Sequence, residues 1–207
     1  MQPFTSITAI AAPYYLPDLD TDKLIPHRYL RKPLAAGYRN FLFYDARFTP
    51  DGKINADFVL HRQPFDRAQI LVTGRNFGCG STREGAVYAL YDFGFRAIIA
   101  PSFADIFRSN CLQNGLLPVT LPAEIVENLS AHIEQHPGAT VAIDLPTQTV
   151  TTPDGLKHRF DIDPTRKQQL LAGLDDIGIT LEHSALIDDF EREYRARRPW
   201  LYPLSGG

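Results

Sequence analysis

One segment of the sequence combines a flexible backbone with side chains that bind anions. This glycine-rich segment, residues 74–84, reads GRNFGCGSTRE. Its three glycines allow the backbone to approach a ligand closely, and the hydroxyls of Ser81 and Thr82 and the guanidinium of Arg83 follow directly. Hydroxyls and a planar guanidinium are suited to gripping a carboxylate or a phosphate. We therefore expect an anion-binding site here.

The elements that must position this segment are a strand before it and a helix after it. Residues 69–73, QILVT, are typical of a buried strand, and the apolar spacing that follows predicts a helix ended by Gly94. Open α/β sheets bind ligands where a strand passes into a helix, because the free N–H groups of the helix N-terminus favour negative charge.

A purely structural interpretation of the same residues also stands. Ser81 and Glu84 match an S-x-x-E capping box, which needs no ligand. Capping does not explain why the strand must bend through three glycines. It also leaves Arg75 and Arg83, which flank them, without a role. Both interpretations stay open at this stage.

Several known motifs are missing from the segment. No Lys-Ser or Lys-Thr pair follows the glycines as a P-loop needs, and the dinucleotide fingerprint lacks its third glycine. Ser81 does not lie in G-x-S-x-G, so the hydrolase elbow is absent. A helix N-terminus could acidify the Cys79 thiol, but a small residue packed in a tight turn is the simpler interpretation. A nucleotide site is disfavoured.

The rest of the chain predicts an α/β fold, a mixed sheet flanked by helices. Strands are expected at residues 4–12, 69–73, 97–100, 116–121, 140–145, 148–152 and 156–162. Further helices are expected with Ser102 as a cap, after Pro122, and in a final pair opened by Asp163-Pro164 and by Ser184. We expect one domain over 1–162 and a C-terminal helical extension, 163–207, packed on it. The closely spaced aromatics of residues 38–48 are expected to be half buried and to pack against the core rather than to form a cofactor cage.

Composition excludes several classes of protein. The 207 residues carry 21 Lys and Arg against 24 Asp and Glu, so nucleic acid is not an expected partner. No apolar run approaches the roughly 20 residues that span a bilayer. The first charged side chain is Asp18, which does not fit a signal peptide, and we expect a cytoplasmic protein. Cys79 and Cys111 are too few for an iron-sulfur cluster, and no metal site is expected in this chain.

Three motifs in order resemble those of the aconitase superfamily's swivel domain, a swivelling β/β/α unit. They are NFGCGSTRE at 76–84, AIIAPSFADIF at 97–107 and GLLPV at 115–119. With DTDKLIP at 20–26, FLFYD at 41–45 and GLDDIGITL at 173–181, the chain is most similar to the small subunits of 3-isopropylmalate dehydratase. The resemblance covers nearly the whole chain.

This resemblance implies a half-site hydro-lyase. A separate large subunit would hold a 4Fe-4S cluster through three cysteines, acting as a Lewis acid on a small hydroxy dicarboxylate. The small subunit would supply Ser81 as the base and Arg83, Thr82, Gly80 and Asp22 as substrate-binding residues. The reaction would interconvert 2-isopropylmalate and 3-isopropylmalate through 2-isopropylmaleate in leucine biosynthesis.

The resemblance also assigns a role to the loop that follows Pro26. Leu30 would lie over the isopropyl group and Arg31 would help to hold a carboxylate, although Lys32 is close enough to do so instead. Without the resemblance, Leu30 is an ordinary packing residue beside Tyr29.

Two residues depart from the family's Ser-Ser-Arg-Glu-His pattern. Thr82 replaces the second serine and keeps its hydroxyl. Gly85 replaces the histidine, and a glycine in a helix costs up to about 1 kcal/mol relative to alanine. Two alternatives to the isopropylmalate reaction remain. One is a related hydratase acting on homoaconitate, citraconate or a methylmalate, and the other is a non-catalytic carboxylate-binding module.

Overall fold

The computed structural model describes residues 1–33, 37–80 and 83–201, and in these ranges seven strands form one sheet. The strands are β1 Ser6–Tyr14, β2 Ile70–Thr73, β3 Ala97–Ala100, β4 Leu117–Thr120, β5 Thr140–Asp144, β6 Thr149–Thr151 and β7 Lys157–Arg159. Their order across the sheet is β4-β3-β2-β1-β5-β6-β7. Neighbours from β4 to β1 are parallel and those from β1 to β7 are antiparallel, which confirms the predicted mixed sheet.

Helices connect and cover these strands. The α-helices of the described ranges are α1 Thr21–Leu24, α2 Tyr44–Arg47, α3 Gly85–Phe93, α4 Asp105–Gln113, α5 Ala123–Gln135, α6 Pro164–Ala172, α7 Asp176–Glu182 and α8 Ser184–Arg197. The prediction of two final helices was wrong, because Asp175 caps an additional helix, α7, by accepting a hydrogen bond from the Gly178 amide at 2.7 Å. Ser184 is the first residue of α8 rather than its cap, a position that His183 takes.

The parallel half of the sheet is covered on both faces. Every residue of β2 and β3 is buried, α3 and α4 form the crossovers, and α5 packs against β1, β2 and β3. Strands covered on both faces are apolar throughout instead of alternating. The aromatic run also packs against the core as predicted, although Tyr38 and Phe43 are buried rather than half buried.

Strand β1 runs further than the sequence predicts. It continues through Pro13 to Tyr14, whereas a strand ending before the proline was expected. The antiparallel partner β5 ends its pairing at Ile10, so beyond that point β1 pairs along one side only, with β2. A proline, which lacks a backbone donor, is tolerated where one side of a strand is unpaired.

The C-terminal helices attach through α6. Leu170 is fully buried, and its carbonyl accepts a hydrogen bond from the Phe4 amide at 2.8 Å. In α8 the apolar stripe lies on the surface, with Leu186 and Phe190 about two thirds exposed (68% and 66%). Within the described ranges, no helix has the length and apolarity to cross a bilayer.

Candidate functional site

The glycine-rich segment leaves the carboxyl end of β2 with its backbone pressed against two other parts of the protein. A Cβ on Gly74 would lie 2.4 Å from the carbonyl oxygen of Leu16. Gly78 has a φ of +76°, and a Cβ there would lie 2.2 Å from Cγ of the Phe107 ring. Close packing therefore requires glycine at these two positions. This accounts for the glycines of the bend, which the capping interpretation left unexplained.

The loop between β1 and α1 braces one side of the segment. The amide of Gly78 donates to the Leu19 carbonyl at 2.9 Å, and the amide of Thr21 donates to the Cys79 carbonyl at 2.8 Å. The side chain of Asp20 caps α1 by accepting from the Lys23 amide at 2.8 Å. The two backbone bonds fix the path of residues 78–79 as a short strand pairing would.

The loop between β3 and α4 braces the other side. The Phe77 amide donates to the Ser102 carbonyl at 3.1 Å, and the Asn76 amide donates to Ser102 Oγ at 2.9 Å. The prediction that Ser102 caps the following helix was wrong, since α4 has Ala104 as its N-cap residue. The serine hydroxyl instead accepts a hydrogen bond from the backbone of the glycine-rich segment. Local spacing does not predict this long-range contact.

Charged side chains near the bend pair within the chain. Asn76, in the left-handed region at φ +54°, donates from Nδ2 to Asp18 Oδ1 at 2.9 Å, and Arg75 lies 3.6 Å from the same carboxylate. Arg75 therefore already has an anionic partner in Asp18. Arg83, the predicted guanidinium of the anion site, is exposed just before α3.

The predicted substrate-binding residues come from three separate stretches of chain. Gly80 is exposed at φ +102°, and a Cβ there would lie 3.6 Å from Thr21 Oγ1. The exposed Asp22 follows Thr21 in α1, so Gly80 is near the residue that precedes Asp22. Ser81 and Thr82 fall outside the described residues.

Leu30 reaches the start of α3 from the 27–33 loop. A Cβ on Gly85 would lie 2.6 Å from Leu30 Cδ2 and 3.5 Å from Tyr38 Cε1. The Tyr38 hydroxyl donates to the Lys32 carbonyl at 3.0 Å, which holds the loop. Arg31 and Lys32 are both exposed. The half-buried Leu30 thus adjoins the predicted site through Gly85, a residue that spacing did not single out as a site residue.

Glu84 is held from two directions. Its carboxylate accepts a hydrogen bond from the Tyr88 hydroxyl one turn along α3 and another from Asn114 Nδ2 at 3.2 Å. The bond to Glu84 raises the pKa of Tyr88 to about 12, with burial adding to the shift. Glu84 is itself the N-cap residue of α3, with no side-chain capping bond, so the capping-box interpretation, which needs Glu84 as the third residue inside the helix, was wrong. The spacing of Glu84 and Tyr88 could have predicted their pairing, but nothing local indicates Asn114.

The two thiols are poorly suited to ionisation. Partial burial raises the pKa of Cys79, and the nearby carboxylates of Asp20 and Asp18 raise it further. Complete burial raises the pKa of Cys111 well above its ordinary value. Among the described residues no three His, Cys, Asp or Glu side chains cluster as metal ligands would. These thiols do not fit an iron-sulfur cluster.

Comparison with protein families identifies the class of protein to which this chain belongs. The family model described as the aconitase C-terminal domain matches residues 1–124, which hold the parallel half of the sheet and the glycine-rich segment. A second model, the C-terminal domain of the 3-isopropylmalate dehydratase small subunit, matches residues 176–203. The chain belongs to the family of 3-isopropylmalate dehydratase small subunits.

Individual relatives agree along nearly the full length. The chain is 49% identical to the small subunit from Dinoroseobacter shibae over 97% of this chain and 100% of that protein. It is 48% identical to the one from Leptospira interrogans over 99% and 100%. A solved structure of 3-isopropylmalate dehydratase from Methanocaldococcus jannaschii is similar with a TM-score of 0.62 and 27% identity, covering 90% of this chain and 99% of that one.

Proposed function

We propose that this chain is the small subunit of a hydro-lyase that interconverts 2-isopropylmalate and 3-isopropylmalate through 2-isopropylmaleate in leucine biosynthesis. The observation that carries the proposal is identity near one half over the full length of dehydratase small subunits. The braced glycine-rich segment supports it, because a rigid bend at the mouth of a helix is preorganised for an anionic substrate.

The carboxylate clamp is built around the start of α3. The amide of the exposed Gly80 and the Arg83 guanidinium bind a substrate carboxylate, and the Thr82 hydroxyl donates to it. Asp22 follows Thr21, whose side chain is near Gly80. Arg31 adds positive charge from the 27–33 loop. A site that uses these groups together would suit a ligand with two carboxylates.

Ser81 is the base in this proposal. Its hydroxyl, as alkoxide, takes the proton from the carbon next to a substrate carboxylate and returns it when water adds back at the neighbouring carbon. A serine hydroxyl is a weak base, so the alkoxide needs stabilisation by fixed donors. The N-terminal amides of α3 and the Arg83 guanidinium supply positive potential at that point.

The large subunit is the partner that the family requires. We assign the 4Fe-4S cluster to it, since Cys79 and Cys111 do not offer a ligand set, and we place the pair in the cytoplasm. This chain's own part is to bind the carboxylates, orient the substrate and move its proton.

Reconstitution with the large subunit tests the proposal. The two chains are co-expressed, purified anaerobically and assayed with 3-isopropylmalate by the ultraviolet absorbance of the unsaturated intermediate. We expect turnover by the pair and none by either chain alone. Turnover restricted to homoaconitate or citraconate would reassign the substrate. Carboxylate binding without any turnover by the cluster-loaded pair would make this chain a binding module.

A further inference from the structure

The last helices of the chain carry most of its exposed apolar side chains. Of the twelve large apolar side chains that are exposed in the described ranges, seven lie between residues 177 and 201. A concentration of this kind is typical of an interaction surface, whereas singly scattered apolar residues are not. The seven are Ile177 and Leu181 of α7, Leu186, Ile187 and Phe190 of α8, and Trp200 and Leu201 of the turn that follows α8.

Three of these residues, Leu186, Ile187 and Phe190, form an apolar stripe along α8. Leu186 and Phe190 are four residues apart and therefore lie on the same side of the helix, with Ile187 beside them. Among the described residues, α8 packs chiefly against α7 and the following turn, and neither helix has a buried residue. A helix of 14 residues is only marginally stable in water by itself. Another surface is therefore needed to cover the stripe.

The charges of α8 indicate what kind of surface this is. Acidic and basic side chains balance within the helix, since three arginines pair with carboxylates three or four residues earlier. A surface that covers α8 therefore has to match the apolar stripe rather than a strong charge. The pairs are Asp189 with Arg192 at 2.8 Å, Glu191 with Arg195 at 3.0 Å and Glu193 with Arg197 at 3.0 Å.

The two family matches point to the large subunit as the chain that covers the stripe. The match to the aconitase C-terminal domain ends at residue 124, whereas α8 lies in the match to the small subunit's own C-terminal domain, residues 176–203. A C-terminal domain of aconitase is joined covalently to the rest of its enzyme. A separate small subunit needs a noncovalent join instead, and α8 lies in the part that the aconitase match does not reach.

Asp176, the first residue of α7, ties the C-terminal helices to the part of the chain that holds the site. Its carboxylate accepts hydrogen bonds from Gln169 at 2.7 Å and from Gln113 at 3.4 Å. Gln113 precedes Asn114, which holds Glu84 at the start of α3. A helix that only joined two copies of this chain would not need a fixed relation to the site. A helix that docks the subunit with the other half of the site does need one.

We propose that the apolar stripe of α8 is the docking surface for the large subunit, which receives it in an apolar groove. Recognition of a helix in a groove uses apolar anchors three and four residues apart, and Leu186, Ile187 and Phe190 have this spacing. The inference rests on the proposed function, because it names the surface through which the two subunits join. Docking there holds the large subunit in a fixed position relative to the glycine-rich segment.

The first test compares two double variants that each make two exposed apolar residues polar. Leu186→Gln/Phe190→Gln changes the stripe, and Ile54→Gln/Leu156→Gln is the matched control at similarly exposed positions outside the C-terminal helices. Glutamine is a good helix former, so the change does not weaken α8 itself. Affinity for the immobilised large subunit is measured anaerobically by biolayer interferometry. We expect the stripe variant to bind about 30-fold more weakly or worse, and the control to stay within about threefold of the wild type. A stripe variant within about threefold of the wild type overturns the proposal.

Titration of the activity separates docking from catalysis. Turnover of 3-isopropylmalate by a fixed amount of large subunit is measured as each small subunit is added. We expect the stripe variant to need about 30-fold more protein for the half-maximal rate. At saturation its kcat should lie within about twofold of the wild-type value, because neither changed side chain belongs to the proposed site. A kcat that stays low at saturation overturns the proposal.

Hydrogen exchange on the wild-type chain provides an arm that needs neither a variant nor turnover. We expect the amides of residues 184–197 to exchange about tenfold more slowly or less when the large subunit is added, because a covered helix opens less often. Unchanged exchange overturns the proposal. If the wild-type pair forms but turns over no isopropylmalate, the proposed function fails, and the affinity and exchange results still decide where the large subunit docks.

Sedimentation of the isolated small subunit tests the rival occupant, a second copy of this chain. We expect the wild type and the stripe variant both to be monomers. A wild-type dimer that the stripe variant abolishes, with unchanged affinity for the large subunit, would show that a second copy covers the stripe and overturns the proposal.

Discussion

The Phe107 ring of α4 lies directly over the backbone of Gly78, so that a Cβ on this glycine would fall 2.2 Å from Cγ of the ring. The contact joins the helix after β3 to the segment after β2. Phe107 is 1% exposed and also meets Phe77 edge to face with ring centroids 5.3 Å apart. The conformation of the glycine-rich segment is therefore part of the core.

Gly78→Ala should destabilise the fold strongly. The variant adds an overlap with Phe107 to the strain of a positive φ, and we expect a loss of about 3 kcal/mol in the free energy of unfolding. Gly155→Ala is the matched control, since Gly155 has a φ of +86° with nothing within 4 Å of its Cβ position. Urea unfolding of both variants measures the difference. Similar losses would mean that the ring moves aside.

Ser81→Ala should separate turnover from stability. As loss of the base, it should lower kcat of the reconstituted enzyme by about 10²-fold or more, with a stability change within about 0.5 kcal/mol, because the N-cap residue of α3 is Glu84 and no helix cap is lost. Arg83→Lys should also be severe, because an ammonium cannot reproduce a bidentate fork. Ser102→Ala is the contrast, since it removes the bond from the Asn76 amide and should cost stability. If Ser81→Ala retains full kcat, Ser81 is not the base.

Thr73→Val should stabilise the protein. Thr73 is fully buried at the end of β2, and among the described residues its hydroxyl has no hydrogen-bond partner. Valine keeps the shape and removes the unpaired group, which is worth about 1 kcal/mol or more. Thr152→Val is the control, because the buried Thr152 hydroxyl donates to Asp154 and to the Leu156 carbonyl and its loss should destabilise. A lower Tm for Thr73→Val would show that the hydroxyl is bonded in solution.

Asp176→Asn should reduce the acid sensitivity of the C-terminal helices. Hydrogen bonding from Gln169 and the charge of Arg166 hold the pKa of Asp176 below its ordinary value of 3.8. A carboxyl whose pKa is lowered on folding stabilises the fold above 3.8, and this contribution is lost as the pH falls through the lowered value. The variant should therefore lose less Tm than the wild type between neutral pH and pH below 3.8.

The control for that measurement is Asp189→Asn. Asp189 pairs with Arg192 within α8 at 2.8 Å, with both side chains largely exposed, and contacts of this kind contribute little. Its acid profile should follow the wild type. Equal profiles for all three proteins would show that the Asp176 contacts do not persist in solution.

Local patterns predicted most of the strands and helices and the bend after β2. The buried strand, the helix ended by Gly94 and the bend between them follow from spacing alone, because apolar periodicity and glycine conformations are local properties. The long-range partners of the bend could not be predicted in this way. Ser102 was expected to cap a helix 26 residues from Asn76, whose amide it actually satisfies. A serine hydroxyl can bond to any polar group that the fold brings near it, however far away that group is in the sequence.

The long-range contacts of the glycines could not be predicted from local patterns either. A glycine's sequence symbol says that a side chain is missing, and only the folded structure says what fills the space. At Gly78 it is an aromatic ring, and at Gly85 it is Leu30. Gly85 departs from the family pattern, and in the structure the space left by its missing side chain is filled by the 27–33 loop.

The central position of β1 also has a consequence for synthesis. This strand pairs on one side with β2, which is complete at residue 73, but its other partner, β5, begins only at residue 140. While the ribosome makes the intervening helices, β1 presents an unpaired edge, and such edges are templates for wrong pairing between chains. Released chains truncated before residue 140 should therefore aggregate more readily than released chains that extend past residue 160, which contain the antiparallel half.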